Sequence, residues 1–243
     1  MTDQHIASAF DRDLEEIQAH LMKMGGMVED AIREGAKSLK RRDEELADTV
    51  RKNDKKIDAL DLQIQEECAR VLALRQPIAS DLRTVLTVMK VAANLERIGD
   101  YAKNMAKRTT VLVHMPPIDG ASGAIKRMAG EAQSMLTDAL DAYIRRDADL
   151  AHDVRQRDLE IDQMYNALFR EFLTFMMEDP RNISSCMHLH FIAKNIERMG
   201  DHVTSIADQV IYLVTGEMPD EARPKGNAPN YEIPSSSETG AKG

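Results

Sequence analysis

The sequence predicts an all-α protein: two tandem three-helix bundles of long antiparallel helices, followed by a disordered C-terminal tail. Three observations predict it. Asn94-Leu95-Glu96-Arg97-Ile98-Gly99-Asp100 returns as Asn195-Ile196-Glu197-Arg198-Met199-Gly200-Asp201, and Arg41-Arg42-Asp43 through Asp58 returns as Arg145-Arg146-Asp147 through Asp162. The offsets are 104 (145 − 41) and 101 (195 − 94), so one unit appears twice with three residues dropped inside it. Apolar residues recur in steps of three and four, the helical period. Composition agrees: 30% of residues are charged and 4% aromatic, with no Trp, which suits amphipathic helices better than a β-sandwich.

The elements follow in order. Phe10, Leu14, Ile17, Leu21, Met24, Val28 and Ile32 make one stripe, predicting a helix from His5 to about Arg41. Asp43 is placed to cap a second helix, with Glu44 and Glu45 near the positive end of its dipole. Leu46, Val50, Ile57, Leu60, Ile64 and Val71 carry that helix to a stop at Pro77. Ser80 or Asp81 starts a third helix reaching about Val113. Pro116-Pro117 and Gly120 make the break in mid-chain. The second unit repeats the plan at about 121–146, 147–177 and 182–214, with Pro180 at its second turn. The bundles are thus expected at 1–115 and 119–216. The Pro-, Ser- and Gly-rich segment 217–243 has too little apolar surface to order itself.

Charge and composition exclude several functions. A formal net charge of −9 argues against nucleic acid, whose phosphates need a basic stripe. Two cysteines at unmatched positions, Cys68 and Cys186, suggest neither a disulfide framework nor a zinc site, and point to a reducing cytoplasm. The first residues lack an apolar signal core, and no stretch approaches about 20 apolar residues. A ferritin-like di-iron centre needs Glu-x-x-His on two helices, but Gly99 and Gly200 stand where those histidines belong. Loops for ATP and nucleophile motifs are missing too. His188 and His190 fall on different faces of one helix and read as packing or surface residues, and His114 as a helix-end residue. The fifteen Met residues read as core filler, although Met22, Met24 and Met27 also suit an adaptable partner surface.

The acidic residues carry the chemistry. Glu96 and Asp100, Glu197 and Asp201, Asp54 and Asp58, and Asp158 and Asp162 are each four apart, on one helical face. The midpoints of the first unit's pairs lie 21 residues before and 21 after Pro77; those of the second lie 20 before and 19 after Pro180. At about 1.5 Å per residue, both quartets fall level within a turn of an antiparallel hairpin. Four facing carboxylates repel unless water or a cation compensates, and oxygen-rich clusters suit Mg²⁺, Ca²⁺, Mn²⁺ or iron. Equal height leaves each helix's rotation open, and any one such pair also fits a solvated face. Gly99 and Gly200, costly in mid-helix, suggest close approach of a ligand or of another helix. Arg97 and Arg198 are better placed to pair with neighbouring carboxylates than to contact phosphate directly.

The duplicated Glu-Arg-(Ile/Met)-Gly-Asp helix resembles the PhoU family, phosphate-transport accessory proteins of bacteria. So do Met24-Gly25-Gly26-Met27-Val28 and the turn Arg75-Gln76-Pro77-Ile78-Ala79-Ser80-Asp81-Leu82-Arg83, and the likeness covers about 5–215. The resemblance implies two three-helix bundles related by a pseudo-twofold, each with a metal-binding Glu/Asp-x-x-x-Asp motif. By position these are Glu96 and Asp100, and Glu197 and Asp201, with Asp54, Asp58, Asp158 and Asp162 as companions. The ion would be Mg, Mn, Fe or Zn. The resemblance further implies a non-enzymatic cytoplasmic homodimer that represses the phosphate-starvation response and limits phosphate uptake. Its partners would be the ATPase subunit of the phosphate ABC transporter and the phosphate-sensing histidine kinase. It would reach the inner membrane through these proteins alone. Two other classes remain open: a metal-dependent hydrolase of a phosphate compound, and a purely structural helical interaction protein. Arg145, Arg146 and Asp147, with Arg41-Arg42-Asp43, are candidate partner contacts; alternatively each Asp caps a helix and each Arg meets the preceding helix's negative end.

Overall fold

The computed structural model describes residues 2–219, and within its first helix the side chains from Phe10 onward. The expected tail therefore lies almost wholly outside the described residues. Six helices carry the described chain: α1 (Thr2–Arg41), α2 (Glu44–Arg75), α3 (Ala79–Leu112), α4 (Ala121–Arg145), α5 (Ala148–Glu178) and α6 (Ile183–Thr215), with a single 3₁₀ turn at Pro180–Asn182 before the last. Each lies within a few residues of its expected span.

The corners between α1 and α2 and between α4 and α5 are built alike. Arg42 (φ 56°) and Arg146 (φ 52°) take the left-handed conformation that ends the first helix of each pair. Asp43 and Asp147 follow at once in extended backbone, and their carboxylates accept from Leu46 N (2.9 Å) and Leu150 N (3.0 Å). Each such cap stabilises its helix by about 1 kcal/mol. The start of α3 departs from expectation. Neither Ser80 nor Asp81 caps it; Ile78 holds the cap position without a side-chain bond. Gln76 and Ala79 both take positive φ as the chain turns, and the helix opens at Ala79, one residue before Ser80.

In each unit the helices pack on one another, and the units join along α1 against α4 and α3 against α6. α3 and α6 run antiparallel, since Arg83 faces Tyr212, Asn94 faces His202 and Arg108 faces Phe191. One apolar core runs through both units, with Leu21, Ile57, Leu95, Met128, Ile161 and Ile196 all buried in it. Met24, Met105, Met128, Met135 and Met199 are buried there, as core filler should be. The turn after α3 is fastened from both sides: Arg42 donates to Val113 O and Met115 O at 2.7 Å, and Ser185 donates to Pro116 O at 3.1 Å. This arrangement leaves α2 and α5 on the outside, each presenting its carboxylates to the third helix of its own unit.

Candidate functional site

In the first unit the helix rotations that sequence left open are settled. Ile57, Leu60 and Ile64 point into the core, which turns Asp54 on the same side toward α3. Asp54 is buried, 5% exposed. Lys103, one turn beyond Asp100 on α3, donates to Asp54 Oδ2 at 2.5 Å and to Asp100 Oδ1 at 2.6 Å. An ammonium thus bridges two of the four carboxylates. Asp54 Oδ1 stays buried with no hydrogen-bond partner. Burial pushes the Asp54 carboxyl above its ordinary range, against the pull of Lys103. Desolvation opposes the charge on Lys103, but its bonds to Asp100 and Asp54 win and raise it. Glu96 is raised by burial, then by repulsion from Asp100, Asp58 and Asp61, so all four members share one field; Asp58 itself is exposed.

The second unit repeats the carboxylates and changes the cation. Asp158 is buried, 6% exposed. At the place of Lys103 (103 + 101) the chain has Thr204, buried, whose hydroxyl donates back to Asp201 O at 2.8 Å. Lys194, whose counterpart is Ala93, pairs instead with Glu197 at 2.6 Å. Burial raises the Glu197 carboxyl; Lys194 opposes, and Asp201 and Asp162 add to the rise.

Gly99 and Gly200 mark helix approach. A Cβ on Gly99 would stand 3.2 Å from Ile57 Cδ1, and one on Gly200 would stand 2.8 Å from Asp158 Oδ1 and 3.1 Å from Ile161 Cδ1. Only glycine lets the buried Asp158 carboxylate lie against α6. Of the two alternatives raised by the sequence, helix packing accounts for both glycines.

Arg97 lies 3.6 Å from Glu96, the neighbouring carboxylate expected of it, whereas Arg198 sits over the Tyr101 ring. Arg145 pairs with Asp141 at 2.9 Å and is 66% exposed, and Arg146 ends α4. Both guanidinium groups stay exposed at the corner. His190 packs among Tyr165, Phe169 and Phe191, and His188 lies 3.4 Å from Arg108, as packing residues. His114 lies 3.8 Å from Glu44 just past the end of α3. Cys68 and Cys186 are buried and free, and burial pushes the Cys68 thiol up to about 12, far from reactivity.

Two PhoU domain matches, at 21–109 and 125–210, each enclose one quartet. The chain belongs to the PhoU family. It is 41% identical over 222 residues to the phosphate-specific transport system accessory protein PhoU homolog of Caulobacter vibrioides, covering 91% of this chain and 96% of that one. The Rhizobium meliloti homolog of the same name is 42% identical over 225 residues, covering 93% and 95%. Among solved structures, PhoU from Pseudomonas aeruginosa superposes with a TM-score of 0.82 at 41% identity, covering 86% of this chain and all of that one. The phosphate transport system regulatory protein PhoU from Streptococcus pneumoniae gives 0.80 at 31% identity, covering 87% and 99%. These names describe accessory and regulatory proteins, not enzymes.

Within this PhoU-family chain, sequence reasoning missed the lysines. Lys103 was open to discovery, because it lies three residues after Asp100 on the same face. It breaks the repeat, however, and attention to what recurs passes over what does not. Among the described residues, the group of three acidic or histidine side chains with ligand atoms within 4.8 Å of one another is Glu16, His20 and Glu67, outside both quartets. Among the described residues, no three of the quartet carboxylates bring ligand atoms within 4.8 Å of one another.

Proposed function

We propose that this chain is a cytoplasmic, non-catalytic regulator that represses the phosphate-starvation response and limits phosphate uptake. It does so by binding the ATPase subunit of the phosphate transporter and the phosphate-sensing histidine kinase. The observation that supports this most is the family membership across both units, with relatives named as accessory to phosphate-specific transport. Among the described residues no helix is long and apolar enough to cross a membrane, which favours attachment through proteins. Exposed Arg145 and Arg146, beside the Asp147 cap, are a contact surface on the outer corner of the second unit. A homodimer is part of the same reading. Exposed apolar side chains at matched ends of α3 and α6, Leu82 and Leu86 with Ile183 and Met187, supply surface for association.

The carboxylates Glu96, Asp100, Asp54 and Asp58, and Glu197, Asp201, Asp158 and Asp162, would hold a hard divalent or ferric ion. Their all-oxygen donor set fits Mg²⁺ or Mn²⁺, and an ion that keeps several waters needs only one or two carboxylates directly. The wide spacing of the quartets suits that mode. The Asp54 oxygen without a partner supports a cation in the first unit, but Lys103 already supplies charge there. In the second unit Thr204 replaces that lysine while Lys194 pairs with Glu197, so each quartet already holds one ammonium. Bound metal would hold α5 and α6 together and shape the partner surface, with no chemical step of its own.

Deletion of the gene tests the regulatory reading. In phosphate-rich medium, a reporter for phosphate-starvation genes should switch on, and phosphate or polyphosphate should accumulate. A reporter that stays repressed in the deletion strain would contradict it.

A further inference from the structure

We propose that Glu16, His20 and Glu67 form a separate site for a borderline divalent ion of the Zn²⁺ class, clasping α1 to α2 near the open end of the first unit. Glu16 and His20 are four apart on α1, so they share a face, and Glu67 reaches across from α2. One ligand atom from each lies within 4.8 Å of the other two. Ligands about 2.1 Å from a tetrahedral zinc stand roughly 3.4 Å apart, so small side-chain rotations close this set on an ion.

The chemistry of the set differs from that of the quartets. It offers one imidazole nitrogen and two carboxylates, where the quartets offer oxygen alone. Imidazole favours Zn²⁺ and its neighbours over Mg²⁺. His20 Nδ1 and Glu67 Oε2 face each other at 2.9 Å, within hydrogen-bond distance. A metal ion between them takes both atoms as ligands, and Glu16 adds the second carboxylate. Two carboxylates this close repel, and a cation between them removes the repulsion. Gln63 donates to Glu67 Oε1 at 2.8 Å and lies 3.4 Å from both His20 ring nitrogens, an outer partner that orients a ligand. Beside the group lies a hollow of about 80 Å³ lined by Asp13, Glu16, Glu67 and Arg70, with room for the waters that complete a coordination shell. Arg75 pairs with Asp13, one of the lining residues, at 2.9 Å.

The site belongs to the first unit alone. Carried forward by 104, Glu16 and His20 fall on Gly120 and Ala124, at the very start of α4, and only Glu67 has an acidic counterpart, Glu171. Glu16 and His20 also precede the matched PhoU segment, which begins at residue 21. The clasp is therefore a feature of this chain's long α1 and independent of the quartet reading.

Zinc titration of the full chain, by calorimetry and by competition with a chromophoric chelator, tests the proposal. The wild type should bind Zn²⁺ at a site that Mg²⁺ does not displace. His20→Ala and Glu67→Gln should weaken it at least ~100-fold, since loss of even an outer-shell partner costs about 10–100-fold. Glu16→Gln, at an exposed position, repeats the test without touching the core. Glu160→Gln, an exposed carboxylate outside both the clasp and the quartets, should leave this affinity unchanged, and the His20 ring nitrogen resonances should move on zinc addition. Equal zinc affinity in wild type and His20→Ala, or His20 resonances that stay still at saturating zinc, would overturn the assignment.

Discussion

Replacing Lys103 with Thr, the residue that the second unit carries at the matching place, is expected to lower stability by about 2–4 kcal/mol at neutral pH. Removing one partner of a buried ion pair strands the other charge, a loss of about 3–5 kcal/mol when both are fully buried. Asp54 is buried and Lys103 is about a third exposed, which places the expectation toward the lower part of that range. Asp54 Oδ1 has no hydrogen-bond partner already, so loss of Lys103 would leave neither oxygen of this carboxylate compensated by the ammonium.

The pH dependence has a definite sign. Burial holds the Asp54 carboxyl above its ordinary value, so the folded state favours its protonated form. Such a group contributes stability that is fully present below the unfolded carboxylate value and is lost as pH rises through the raised folded value. Without Lys103 the folded value rises further. The gap between variant and wild type should therefore be widest near neutrality and narrow as acid protonates Asp54. Urea denaturation at about pH 7 and about pH 4 measures it. A gap under about 1 kcal/mol, or one unchanged by pH, would show that the ammonium does not hold the two helices together.

Mg²⁺ or Mn²⁺ is expected to raise the melting temperature of the wild type through the two quartets. An ion present at 100 times its Kd adds about 2.7 kcal/mol, which for a chain of this size is roughly 5–10 °C. Mg²⁺ is the discriminating probe, because it is poorly suited to imidazole and leaves the His20 group aside. Glu197→Gln with Asp201→Asn should remove the second unit's part of the shift, and Glu96→Gln with Asp100→Asn the first unit's part. The shift should fade in acid, as protons compete for the carboxylates. Identical shifts in wild type and both double variants, or no shift with any hard cation, would exclude metal at these eight residues.

The fold was legible in the sequence almost throughout, for physical reasons that particular residues make plain. Asp43 and Asp147 cap their helices because a short carboxylate just before a helical run reaches the free backbone N–H three residues on. The level placement of the paired carboxylates followed from counting residues from a turn, whereas the approach of Asp158 to Gly200 did not. Spacing does not reveal what crosses between helices. Whether Lys103 reaches Asp54, or Glu67 reaches His20, depends on rotamers and on which face of α2 meets which neighbour. The start of α3 was misread because its polar residues suggested a cap, whereas Gln76 and Pro77 had already turned the chain. The joining of the two units along α3 and α6 was illegible too. Asn94 with His202, at 2.8 Å, is a contact across 108 residues, beyond what local periodicity carries.

Recovery of tagged protein from membranes at high and low phosphate tests the proposed action by protein contact most directly. The transporter's ATPase subunit and the histidine kinase should co-purify, in amounts that change with phosphate. Reversing charge at Arg145 and Arg146 should weaken the association while altering stability by less than about 1 kcal/mol, as exposed positions do. Recovery of neither partner at either phosphate level, or binding to bare liposomes as strong as to transporter-containing membranes, would contradict it.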